Sequence, residues 1–220
     1  RNTSSTRPMV QGDQKILVGT MGGPAYLNHN VLRHSEMGTI PLQKNTVALT
    51  TLAMLAAMGI VVRMFVRIPV IPGLLDLTPG FLFSELGGVI GGIPGGALVG
   101  AVVGLGGAIA GGEPPILPMI GNICLGIGTG YAIHVKTDRD SLLYILMAIL
   151  GGGIIGGFIP SMTIFAAFTE SIEITILYAT IDMLQAFLWA FVALALERVV
   201  IRPIIGQYLY PDVDFQEIVQ

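Results

Sequence analysis

Between Thr46 and Val200 the chain is a succession of long apolar runs, interrupted by proline, glycine or a short cluster of charge. The runs are continuous rather than alternating, so they read as helices. An outer-membrane strand would alternate apolar and polar positions. Proline and glycine set most boundaries and predict six spans: Thr46–Phe65, Pro79–Ile93, Gly95–Gly111, Ile116–Ile133, Ser141–Thr163 and Ile174–Val200. Crossing a bilayer takes about 20 helical residues. The second and third spans are short, and Pro94 separates them. Lys136-Thr137-Asp138-Arg139-Asp140 is the clearest hydrophilic loop. The expected fold is an all-α integral membrane protein with six transmembrane helices.

Composition strengthens that reading. Hydrophobic residues make up 53% of the 220 residues and charged residues 11%, against about 25% charged in a soluble domain. Mean hydropathy is +0.77. Of 25 charged residues, seven precede residue 46 and six follow residue 196, so the 151 residues between carry twelve. A soluble globular core and a disordered chain are both excluded. Lys44, Lys136, Arg139, Arg198 and Arg202 gather on one side of the predicted spans, Arg63 and Arg67 on the other. The positive-inside rule then places both termini in the cytoplasm, in a multi-pass protein of the cytoplasmic membrane. The net charge of −3 gives no reason to expect nucleic acid. Cys124 is the single cysteine, so neither an internal disulfide nor a cysteine-based zinc site is expected.

Residues 1–36 are polar and lack apolar periodicity or a secretory signal. They are expected to be a disordered or non-native extension, with a membrane domain over 37–205 and a cytoplasmic tail over 206–220.

Small residues recur four apart. Gly92, Gly96, Gly100, Gly104 and Ala108 form one series, Gly126 and Gly130 another, and Gly152 and Gly156 a third, with Gly153 and Gly157 beside them. Such spacing lets helices approach closely in lipid. Ala53 and Ala57 fit either internal packing or a docking face for another protein.

Polar groups inside the apolar layer carry the candidate chemistry, because an ionisable side chain there costs roughly 2.5–3.5 kcal/mol. Glu85 lies about 9 Å below the start of its span and Asp182 about 12 Å below the start of its own. Tyr178, Asp182, Gln185 and Trp189 are spaced 4, 3 and 4, on one helix face extended by Thr175. That stripe is either a polar face satisfied by neighbouring helices or one wall of a ligand pocket. Asn122, Ser161, Thr163, Asp76, Thr78, Glu113, Glu170 and Glu173 fall at similar outer depth, although Glu170 and Glu173 also suit a solvated loop. This asymmetry predicts a cavity that opens outward and stops near the midplane; a channel would carry polar groups throughout. The acids outnumber Arg63 and Arg67, which favours a neutral or cationic ring-bearing ligand, with a carboxylate vitamin held by Arg63 or Arg67 as the alternative. No serine-protease, P-loop or H-E-x-x-H pattern is present, and no catalytic or metal site is expected.

The segment from Arg67 to Phe81, Arg-Ile-Pro-Val-Ile-Pro-Gly-Leu-Leu-Asp-Leu-Thr-Pro-Gly-Phe, is followed by the glycine-rich stretch from Leu86 to Ala101. Together they resemble the first loop and the second and third helices of the substrate-binding S components of energy-coupling factor (ECF) transporters. The resemblance covers roughly residues 40–205. It implies a subunit without catalytic activity that captures a vitamin-like micronutrient, partnered by a membrane T component and two cytosolic ATPases. ATP would be used by those partners, and this chain would hold no cofactor. Ala53 and Ala57 match the family's A-x-x-x-A docking pattern, residues 68–78 would form a lid, and helices 4 to 6 would line the pocket. A structural or assembly subunit of another membrane complex, and a stand-alone secondary transporter with inverted repeats, are the competing readings.

Overall fold

Asn45 starts the first helix, α1 (Thr46–Phe65): its side-chain oxygen accepts from Ala48 N at 3.0 Å, satisfying an otherwise orphaned first-turn amide. The inward face is Ala48, Leu52, Leu55, Ala56 and Gly59. Two short antiparallel strands follow, β1 (Ile68–Ile71) and β2 (Leu75–Leu77), paired Ile68 to Leu77, Pro69 to Asp76 and Ile71 to Leu75. The remaining helices are α2 (Gly80–Gly111), α3 (Ile116–Gly130), α4 (Ala132–Val135), α5 (Leu142–Leu150), α6 (Ile159–Thr163), α7 (Ile172–Leu196) and α8 (Arg202–Leu209). π-helical turns, Gly151–Phe158 and Glu197–Ile201, join α5 to α6 and α7 to α8 without a break. The computed structural model describes residues 45–66, 68–71, 75–112, 114–168 and 171–210, all within the unit Met37–Gln220. The expected 1–36 extension lies outside them. Helix α8 continues to Leu209, into the segment expected to be tail.

Five helical stretches are long and apolar enough to cross a membrane: Thr46–Phe65, Gly80–Ile109, Ile116–Val135, Leu142–Ala167 and Ile172–Leu209. Six were expected. The difference lies in α2, whose helical bonding runs through a reversal of direction. Gly92 has φ 61° and ψ −157°, a conformation open in practice only to glycine. The side chains around it show what the chain does there. Gly80 and Gly107 both lie against Arg63, Phe83 and Val103 both against Gly59, and Gly91 and Gly95 both against Leu52, while Gly87 faces Val99 directly. Each pair is centred on Ile93 or beside it, so 80–91 and 93–111 are antiparallel arms of a helical hairpin. The arms are about 18 Å and about 28 Å long at 1.5 Å per residue. The break expected at Pro94 falls two residues earlier. Pro94 instead takes the first turn of the second arm, where its missing N–H has no partner to lose.

This geometry sets the first prediction. Gly92→Ala should cost about 1–3 kcal/mol, since a Cβ there forces a backbone conformation that side chains avoid. Gly112→Ala is the comparison: φ is also positive (69°) but nothing lies within 4 Å, and the cost should stay near 1–2 kcal/mol. Thermal unfolding in detergent, read side by side, checks the difference.

The glycine series forms the seams between rods. A Cβ on Gly96 or Gly126 would stand 2.2 Å from the other's carbonyl oxygen, one on Gly100 would stand 2.2 Å from Asn122 O, and one on Gly104 would stand 2.5 Å from Pro118 O. The first arm joins the same seam: a Cβ on Gly88 would meet Gly126 O at 2.3 Å. Gly128 and Gly151 make an equivalent contact between α3 and the π-helical segment.

The end of the bundle holding the Gly92 turn is fastened by charge. Arg139 donates through Nη1 to Val89 O and through Nη2 to Ile90 O at 3.4 Å, filling carbonyls freed where the first arm stops. Its guanidinium lies 4.4 Å from the Tyr210 ring centroid and 5.8 Å from that of Tyr144. Arg202 makes two bonds to the buried Glu197, at 3.0 and 2.8 Å, and two to Asp140, while Arg198 binds Asp140 at 3.2 Å.

Candidate functional site

At the opposite end, where the β-hairpin lies, the rods separate around a cavity of about 400 Å³. Helix α3 supplies one wall with Leu117, Pro118, Gly121, Asn122 and Leu125; its N-terminal neighbour Pro114 lies at the edge. Arg63 of α1, Thr78 and Phe81 at the head of α2, and Gly156, Gly157, Ser161 and Phe165 complete the lining with Asp182 of α7. The glycines matter locally. A side chain on Gly157 would meet the Asp182 backbone at 2.8 Å, so bare backbone lets α7 come close enough to present Asp182.

The polar atoms are fixed before any ligand arrives. Ser161 Oγ donates to Asp182 Oδ2 at 2.6 Å, leaving Oδ1 without a partner among the described residues. Ser84 Oγ donates to Asn122 Oδ1 at 2.8 Å, and Asn122 Nδ2 donates to Pro118 O at 2.9 Å. Thr78 N donates to Gln185 Oε1 at 3.1 Å, tying the start of α2 to α7. The Phe81 and Phe165 rings supply apolar surface. Leu125 and Gly156 lie at its inner end, and next to Leu125 on α3 Gly126 meets Gly88 and Gly96 backbone to backbone. The arrangement can seat a small molecule carrying both ring and polar groups.

Of the residues expected at a site, Thr78, Asn122, Ser161 and Asp182 come together here. Gln185 is buried and bonded to Thr78 but lies behind the wall. Glu85 is fully buried and does not line the cavity. Trp189 is partly buried, its Nε1 without a partner among the described residues, also off the lining. Tyr178 is 44% exposed on the outside of the bundle, as is Thr163. The buried residues of α7 are Thr175, Ala179, Gln185, Ala186, Ala190, Ala193 and Leu194, most of them small, and Tyr178 lies one position round from Ala179. Asp76 is in β2 with its side chain outside the described residues, as are Arg67, Glu113 and Glu170. Glu173 is exposed. The described lining holds Asp182 with Arg63; Glu85 is buried beneath it, and the side chains of Asp76, Glu113 and Glu170 lie outside the described residues. Phe81, Phe165 and the bracing Ser84 were not anticipated. Phe81 alone had a signal, as the first aromatic after Pro79-Gly80.

On α1, Ala56 is buried while Ala53 and Ala57 are exposed beside Met54, Met58 and Val61. Among the described residues no cluster of His, Cys, Asp or Glu is arranged to hold a metal ion. No protein-family model, curated protein or solved structure matches this chain.

Proposed function

We propose that this chain is the membrane-embedded substrate-capture subunit of an ECF-type importer, taking up a vitamin-like micronutrient. The observation that carries the reading is a cavity with fixed polar groups, open toward one end of an apolar bundle and with a glycine seam beside its inner end. Its volume of about 400 Å³ falls within the roughly 300–1,000 Å³ of small-molecule sites. On this reading the two arms of α2 make the second and third of six crossings. Both termini lie in the cytoplasm of a bacterial-type inner membrane, with Lys136, Arg139, Arg198 and Arg202 at that face. The cavity then opens outward.

The chain supplies capture and no chemistry; a T component and two cytosolic ATPases supply ATP-driven motion. The exposed Ala53–Ala57 strip of α1 is the surface on which the T component docks. A ring held by Phe81 and Phe165, with polar substituents reaching Asp182 and Asn122, describes the ligand class. The secondary-transporter reading needs interrupted spans in both halves. Among the described residues the reversal at Gly92 has no counterpart in the second half, where the π-helical turns leave the rods continuous.

Two substitutions separate capture from delivery. Asp182→Ala should weaken ligand binding about 10- to 100-fold, the worth of a hydrogen bond to a charged group. Ala53→Trp should leave binding intact and abolish uptake in cells carrying the whole transporter. Uptake at the normal rate by Ala53→Trp would remove the docking role, and unchanged affinity in Asp182→Ala would remove the cavity role.

A further inference from the structure

Glu85 is 0% exposed, and neither carboxyl oxygen has a hydrogen-bond partner among the described residues. It sits one helical turn beneath the cavity. Three elements show this: Phe81, Leu125 and Gly156 line the cavity, and Glu85, Thr129 and Gly152 each lie four residues further from the mouth along the same rods. The point where a Gly152 Cβ would stand is 2.9 Å from both Glu85 Oε1 and Thr129 Oγ1 and 3.3 Å from Ala190 Cβ. The Thr129 hydroxyl hydrogen is committed to Leu125 O at 2.9 Å, so its oxygen is left as an acceptor. Two acceptors therefore flank this space, and among the described residues no donor reaches either carboxyl oxygen.

Among the described residues the surrounding elements bring no counter-charge to this carboxyl: Arg139, which bonds the Val89 and Ile90 carbonyls, lies beyond Glu85 toward the Gly92 turn. On α7 and its continuation, Asp182, Glu197 and Arg198 are seven or more residues along from Ala190, about 10 Å or more. Cys124 on α3 is five residues from Thr129, about 140° round the helix. Tyr144 on α5 is eight residues from Gly152, and Arg63 of α1 lines the cavity above. An isolated ionised carboxylate in such surroundings is far too costly to persist. The tight fit around Gly152 favours the smallest neutralising cation.

We propose that Glu85 is a proton-binding site one turn beneath the floor of the cavity, its carboxyl un-ionised while the floor is closed and turning to donate to the acceptor Thr129 Oγ1. Any opening of the floor that carries ligand inward parts Phe81, Leu125 and Gly156, and so admits water to Glu85. The carboxyl then passes its proton to that water and becomes a carboxylate. Closure takes one proton back. Passage through the floor is thereby linked to proton release, whatever the ligand.

Infrared spectroscopy of the purified full chain at neutral pH tests this. The carbonyl-stretch band of an un-ionised carboxylic acid should be present, lost in Glu85→Gln and retained in Asp182→Asn. In Thr129→Val, which removes the acceptor, it should move to higher frequency; that shift decides the matter if Glu85→Gln does not fold. A spectrum without such a band, or one unchanged in both Glu85→Gln and Thr129→Val, overturns the proposal. So does a sodium-dependent rise in unfolding temperature that Glu85→Gln abolishes, which would make the bound cation a metal ion.

Discussion

Gly126→Ala should prevent the bundle from closing. The new Cβ would stand 2.2 Å from Gly96 O and 2.4 Å from Gly96 C. Both are backbone atoms of a helix, so no side chain can turn aside, and the separation is more than an ångström short of ordinary contact. Gly88 approaches the Gly126 carbonyl from the other arm of α2, so α3 cannot slide away from one arm without disturbing the other. Overpacking commonly costs 1–3 kcal/mol; with backbone on both sides the cost here should exceed about 3 kcal/mol. Gly121→Ala is the matched comparison, because its Cβ meets only the Phe165 ring at 3.2 Å. That ring can move by a few tenths of an ångström. Monodisperse yield and unfolding temperature in detergent should collapse for the first variant and change little for the second.

Arg202→Met should be similarly damaging, for an electrostatic reason. Glu197 is 1% exposed and its carboxylate is held by two bonds from Arg202 and one from Tyr210 Oη at 3.2 Å. Burial pushes the Tyr210 phenol above its usual range, so it remains a donor. Removing the guanidinium leaves a buried carboxylate without its counter-charge, which typically costs about 3–5 kcal/mol. Asp140 also loses one of its two arginines. Adding Glu197→Gln to Arg202→Met should recover a large part of the loss, since the stranded charge is then gone. A double-mutant cycle on unfolding temperature measures that recovery. Equal damage from the single and double variants would show that packing, rather than charge, dominates.

The helical membrane character was legible because apolar runs and their proline and glycine borders are local features. The glycine series was legible for the same reason: spacing of four marks a face without naming its partner. The Gly92 reversal was not, because Pro94 is the stronger local breaker while Gly92 acts through a positive φ that only three dimensions reveal. The polar stripe of α7 misled at Tyr178 because the packed face of a membrane helix follows its small residues. Asp182 lies close enough to the alanine face to turn inward; Tyr178 does not. Glu85 was recognisable as an intramembrane acid, but its separation from the cavity depends on Thr129 and Gly152, far away in sequence. The Arg139–Tyr210 and Glu197–Arg202 contacts are not legible in the sequence, because Arg139 and Arg202 read there only as charges that set orientation and nothing local marks Tyr210 or Glu197 as their partners.

Small-molecule mass spectrometry on the purified full chain, loaded with a panel of vitamin-like compounds and then denatured, tests the central claim most directly. One small ring-bearing compound should be released at close to one per chain, and Asp182→Leu should release far less of it. Equal amounts from both proteins, or nothing from either, would contradict a cavity built to capture a ligand.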